Sequence, residues 1–259
     1  MLTIILLHLV FQQFIPQPIK INLMKKYFVI IIFFSFFIGN NLYAQRERIE
    51  NLPNEDKKDW NFGYYLGINQ NSFVISYKPS LYPETKVVVD AGFGFNIGVM
   101  VERNIHKNLS IRLEPGLTSN VKKLYFNNRG LLTENDSLRK VPTTYFHLPV
   151  LLKFSTDRLN NIRPYVIGGV SYNYNFSNNE KNPDDNLSGE FRMKKNSFKY
   201  EVGIGVDFYL PYFKFSPSIR GVFSMSNELV PDNNDATSPY TGPIDNFATR
   251  GVFLKMVFE

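Results

Sequence analysis

The sequence predicts an all-β protein: an eight-stranded antiparallel up-and-down transmembrane β-barrel preceded by a signal peptide. Three observations carry that expectation. The closing stretch, 197–259, alternates apolar and polar residues with a period of two. Its apolar face is large and aromatic, whereas the opposite face mixes glycines with full charges. Water-soluble sandwiches also alternate, but they turn the apolar face inward, and charges among glycines suit a polar lumen. Finally, eight such runs are joined by connections that read long, short, long, short, long, short, long. An even strand number with alternating loop lengths is the pattern of bacterial outer-membrane barrels.

Residues 1–23 read as upstream sequence from a start placed too early. Met24, Lys25 and Lys26 open a better start, and the apolar run 27–38 with Ala44 before Gln45 completes a signal peptide over 24–44. The run is shorter than the ~20 residues of a spanning helix, which argues against an uncleaved anchor. The leader holds Lys20, Lys25 and Lys26 and no acid, so part of the net charge of +6 belongs to it. No basic block remains to suggest nucleic acid. The chain has no cysteine, which excludes disulfides and thiolate metal sites.

Residues 45–59 are charged and aperiodic and are expected to form a flexible periplasmic segment ahead of a barrel over 60–259. The first run, 60–69, sets Phe62, Tyr64, Leu66 and Ile68 on one face. A connection of about twenty residues containing SFVISY leads to the second run, 92–102, in which Phe93, Phe95, Ile97, Val99 and Val101 oppose Gly94, Asn96, Gly98 and Glu102. The third, 109–119, turns Arg112 and Glu114 away from Leu109, Ile111 and Leu113. A long connection, 120–142, carries Lys122, Lys123, Arg129, Arg139 and Lys140. The fourth, 143–155, faces Phe146, Leu148, Val150, Leu152 and Phe154 outward, and the fifth is 163–176. The sixth, 197–209, alternates from Phe198 to Phe208, the seventh is 214–226 and the eighth 247–259. Pro149 and Pro217 lie inside strands, where bulges or register breaks are expected. Short turns and both termini then face the periplasm, and long loops the outside.

An eight-stranded barrel is just wide enough for side chains to fill it. Alternation aims Glu102, Arg112, Glu114, Lys153, Arg163, Lys199, Glu201, Asp207, Lys214, Arg220 and Lys255 inward. Interleaved signs favour an ion-pair network over an ion path. Catalysis by a Ser-His-acid set needs a histidine near a serine. His8 lies in the leader, His106 in a turn and His147 mid-strand with no matching serine, so no catalytic residue is assigned. The aspartates of the long loops lack the spacing and glycine of a calcium loop, and no metal, cofactor or small-molecule substrate is expected.

The strings FHLPVLLKFS and NIRPYVIGGVS resemble a broad group of small porin-like barrels of the Bacteroidetes. More specific strings, FGYYLGINQNSF, PDDNLSGEFRMKKN, DFYLPYFKFSPSIRGVFSMSNELVPDNN and TRGVFLKMVFE, resemble the PorT family of the type IX secretion system and together cover most of 60–259. The resemblance implies a non-enzymatic role in exporting or anchoring sorting-domain cargo, with outer-membrane lipid and other secretion-system envelope proteins as partners. Candidate contact residues lie in the two long loops with matching strings: Asp184, Asp185, Glu190, Arg192, Glu228, Asp232 and Asp235. The readings left beside this one are a generic structural or ligand-binding barrel and a lipid-modifying enzyme.

Overall fold

The computed structural model describes residues 49–78, 86–127, 136–234 and 238–259, so the leader and Asp235 lie outside the described residues. Its strands are β1 Trp60–Tyr77, β2 Lys86–Asp90, β3 Gly92–His106, β4 Leu109–Leu113, β5 Gly116–Asn127, β6 Leu138–Ser155, β7 Ile162–Asn175, β8 Asn196–Tyr209, β9 Lys214–Ser224 and β10 Ile244–Phe258. All pairings are antiparallel, and β1 pairs with β10 along one edge and β3 along the other. The sheet therefore closes on itself.

Ten strands make eight staves. β2 and β3 are one stave kinked at Ala91, since both pair with β5 but the register slips by one residue between Asp90↔Lys123 and Gly94↔Asn120. β4 and β5 are one stave interrupted at Glu114–Pro115, and here the register against β6 is the same on both sides. Pro115 has no N–H to give, but its carbonyl still accepts from Val99 N at 3.0 Å.

The bulges expected at Pro149 and Pro217 are absent. The pairings of β6 with β7 and of β9 with β10 run through both prolines without a shift. The pairings of β8 with β9 skip Val206 and Asp207, opposite Ser216 and Pro217, and resume in the same register. Each proline thus costs ladder bonds on one side only, and no side chain changes face.

The outer wall is apolar. Phe93, Phe95, Val99, Val150, Leu152, Phe154, Val166, Val202, Ile204 and Ile219 are all exposed. Ring pairs mark both margins: Tyr64 with Phe258 at 5.3 Å and Trp60 with Phe62 at 6.5 Å near the short turns, Tyr200 with Phe223 at 5.0 Å and Tyr172 with Phe198 at 5.5 Å toward the long loops. Two aromatic girdles around an apolar band are what a bilayer selects.

The staves reach further than the alternation of the sequence suggested. β1 continues through 72–77, placed above in a connection, and β5 and β6 absorb Lys122, Lys123, Arg139 and Lys140. Arg129 lies outside the described residues.

An arginine at Val202, which is 58% exposed in mid-wall, should cost about 2–4 kcal/mol. The expected result for V202R is a smaller fraction of fast-migrating, unheated protein on a detergent gel than for the parent chain.

Candidate functional site

The interior has three layers. Nearest the short turns is an ion-pair network. Arg220 grips Glu114 with two hydrogen bonds of 2.7 Å, and Lys255 donates to the same carboxylate at 3.0 Å. Arg112 Nε donates to Glu102, its cross-strand partner, at 2.5 Å, and Arg112 also pairs with Glu259 at 3.2 Å. Lys153 bridges Asp207 at 2.7 Å and Glu102 at 3.5 Å, while Lys214 holds Glu259 at 2.5 Å. The side chains of Arg112, Glu114, Arg220 and Lys255 expose 0% of their surface, so water reaches none of these four.

Two tyrosines complete the layer. Tyr65 lies under the Lys255 ammonium at 4.6 Å, and Tyr165 under that of Lys153 at 4.5 Å. Glycines make room for them. A Cβ on Gly98 or Gly116 would strike the Tyr65 hydroxyl, and one on Gly205 the Tyr165 ring.

The middle layer is amide-rich. Asn69, Asn71, Asn96 and Asn120 bond to one another, Asn69 Nδ2 giving to Asn96 at 2.8 Å and Asn120 Nδ2 to Asn69 at 2.9 Å. His147 sits here at 1% exposure, with Nδ1 2.8 Å from Asn173 Oδ1 and Nε2 3.0 Å from Glu201 Oε1. Above it Lys199 lies 3.7 Å from Glu228, which also accepts from Ser224 and Thr249, and Lys122 donates to Thr143 at 3.1 Å.

The layer under the long loops is apolar. Phe73, Leu124, Phe126, Val141 and Phe247 from the staves pack against Phe191, Met193, Leu229 and Tyr240 from the loops. Those loops, 176–195 and 225–243, are bound to each other. Arg192 donates to Asn182 O, Pro231 O and Asn233 Oδ1, Asn186 donates to Asp232, and Asn233 N donates to Asp185. Arg139 of β6 ties in Asn186 O and the Tyr240 hydroxyl. The result is a single cap.

Of the residues assigned to a lumen network, Glu102, Arg112, Glu114, Asp207 and Arg220 meet in the ionic layer, and Lys199 and Glu201 face inward above it. Arg163 does not join them. It lies at the short-turn mouth, bonded to Asp56 at 3.0 Å and to the carbonyls of Thr156 and Lys107. Among the loop residues, Asp184 is exposed and Glu190 half-buried. Asp185, Arg192, Glu228 and Asp232 are buried, with exposures of 6%, 6%, 1% and 4%. They are not open to a partner, because Arg192 is taken up by loop carbonyls and the Asn233 amide, Asp185 and Asp232 by N–H and hydroxyl donors of the loops, and Glu228 by Lys199, Ser224 and Thr249. Glu259, which neutralises two cations, was missed, although it shares the inward parity of Lys255, because it follows the last strand residue, Phe258.

Residues 49–59, expected to be flexible, are fastened across the short-turn mouth. Asn51 bonds Asn161 and Tyr209 O, and Asp56 accepts from Arg163, from Arg158 at 3.5 Å and from the Tyr209 hydroxyl at 2.5 Å. The Arg158 guanidinium stacks 3.8 Å above the Tyr209 ring. Charged, aperiodic sequence says only that the segment cannot bury an apolar face. Nearby, hydrogen bonds from Lys107 and Asn108 hold the Asp157 carboxyl below the ordinary range and couple two neighbouring turns. Among the described residues, no group of three or more His, Asp or Glu is arranged to hold a metal ion.

E114A leaves Arg220 and Lys255 buried without their carboxylate and should cost about 3–5 kcal/mol. Denaturant unfolding in micelles should show the loss. D56A should leave the barrel intact but speed tryptic cleavage at Lys57 and Lys58, as the fastened segment is released.

No curated protein matches the chain. Among solved structures it is similar to OprG from Pseudomonas aeruginosa, with 15% identity over 76% of this chain and 94% of that one and a TM-score of 0.42. Neisserial surface protein A gives 11% identity, 77% and 98% coverage and a TM-score of 0.40. Ail of Yersinia pestis, in complex with a heparin analogue, gives 11%, 78% and 99%, and 0.38. A family described as "Outer membrane protein beta-barrel domain" matches residues 43–230, and the chain, a closed barrel with an apolar wall and an ion-paired lumen, belongs to that family of outer-membrane proteins.

Proposed function

We propose that the protein is a sealed structural barrel of the outer membrane that acts through its surfaces and conducts nothing. The observation that carries this is the ionic layer, whose central four side chains are wholly inaccessible. An open polar lumen hydrates its charges, whereas in this layer Arg112, Lys153, Lys214, Arg220 and Lys255 each meet a carboxylate at hydrogen-bonding range. The cap and the strap of residues 49–59 lie over the two mouths. His147 is engaged by Asn173 and Glu201 deep inside, which supports a structural role and a protein that is not an enzyme.

A finer reading follows from the cap. The strings that resemble the PorT family, 184–195 and 228–242, fall in the two loops that fold into it. On this reading the short turns and both termini face the periplasm. The cap is then presented outside, and the barrel supports export or surface assembly of type IX cargo through contacts with other envelope proteins. The accessible part of the cap, including Asp184 and the 64%-exposed Leu187, is where such contacts would form.

In planar bilayers the purified barrel should give no unitary conductance steps; steps of reproducible size would overturn the sealed-barrel reading. Deleting the gene and surveying proteins on the surface and in the medium tests the finer one. Loss of sorting-domain cargo from outside, with accumulation in the periplasm, is the expected result, and unaffected cargo leaves a barrel of general structural role.

A further inference from the structure

On the outer wall, toward the long loops, two lysines stand directly opposite each other. Lys123 of β5 and Lys140 of β6 are register partners. Both point away from the lumen: their neighbours Lys122, Leu124, Arg139 and Val141 are buried inward, while Val121, Tyr125 and Pro142 share their outward side. Like charges directly opposite on one face of an antiparallel pair repel. On the far side of Lys123 the register places Asp90. Among the described residues, no carboxylate lies within ion-pair distance of either ammonium.

Height along the wall decides what they meet. From Phe154, beside a short turn, β6 climbs fourteen residues to Lys140. At about 3.3 Å per residue and a tilt of roughly 40°, that is about 35 Å along the barrel axis. The apolar band of an outer-membrane barrel is about 25 Å tall, so both ammonium groups stand above it, at the level of lipid headgroups. Below them the outward side of β6 carries Leu152 and Val150, both exposed, and the apolar band ends at the outward pair Ser119 and Thr144, whose hydroxyls lie 3.4 Å apart.

We propose that Lys123 and Lys140 form a binding site for the phosphate of a membrane-lipid headgroup, which bridges the two ammonium groups across the β5–β6 seam. An anion between them turns a repulsive cross-strand pair into an attractive triad, and lysine serves phosphate as a point charge. The site is independent of the secretion role and of the cap.

The test uses the full-length barrel in vesicles of phosphatidylcholine, with and without phosphatidylglycerol, reading the midpoint of heat-induced loss of the fast-migrating gel form. Phosphatidylglycerol should raise the midpoint of the parent protein. K140Q should lose at least half of that increment and, in phosphatidylcholine alone, be no less stable than the parent, because the repulsion is gone. D90N, which removes the nearby negative charge, should enlarge the increment. K181Q, at an exposed lysine of the 176–195 loop, should keep it in full. An unchanged increment in K140Q, an equal loss in K181Q or no increment in the parent would each overturn the site. If inorganic phosphate added to phosphatidylcholine vesicles reproduces the increment, free phosphate is the ligand and the lipid assignment is wrong.

Discussion

Closure of the sheet is the constraint on which the rest of this structure depends. Lipid offers no hydrogen bonds, so each unpaired N–H or C=O at membrane depth costs several kcal/mol. At membrane depth β1 satisfies both of its edges, against β10 and against β3 as far as Asn71, and the ladder opens only beyond it, where 72–77 pair with β10 alone and β2 with β5 alone. Once the ring is shut, strand alternation sends every second side chain into lipid and the others into a space only eight staves wide. The apolar half meets a solvent that suits it. The polar half is confined.

Confinement explains the interior. Charges enclosed in so narrow a lumen must neutralise one another, and removal of either partner leaves the other stranded. Glu114 meets this by serving Arg220 twice and Lys255 once, and Glu259 by serving Arg112 and Lys214. Rings of Tyr65 and Tyr165 lie beneath lysines and take space that water would need. Glycines at 98, 116 and 205 clear the inner wall for those rings. The prolines are absorbed in the same spirit: each removes ladder bonds on one side while the other side keeps the register.

Toward the long loops the polarity of the alternation inverts. In the band that lipid covers, apolar residues face out and charges face in. Beyond it, Phe73, Leu124, Phe126 and Val141 face in to form the core beneath the cap, while Lys123 and Lys140 face out. A staves-end-where-alternation-fails reading therefore closes β1 near residue 69 and β5 near 119, although the strands continue to 77 and 127. The backbone never changed conformation there. Its surroundings changed from lipid tails to headgroups and water on the outside, and from ions to cap residues within.

Much of this molecule was legible in the amino-acid order. The period of two, the aromatic character of one face, the eight runs and the alternation of loop lengths specify an outer-membrane barrel, because a tilted strand in a bilayer imposes each of them locally. The inward direction of Glu102, Arg112, Glu114, Asp207 and Arg220 follows from the same parity. What parity cannot reach is height and partnership. That Arg163, on the inward side, stops at the mouth with Asp56, that Glu228 of a loop descends to Lys199, and that Asp185, Arg192 and Asp232 bind loop to loop were decided only by tertiary structure. Each depends on residues far apart in the chain meeting in a closed volume, where the desolvation of one charge is relieved by whichever opposite charge or carbonyl the fold brings near.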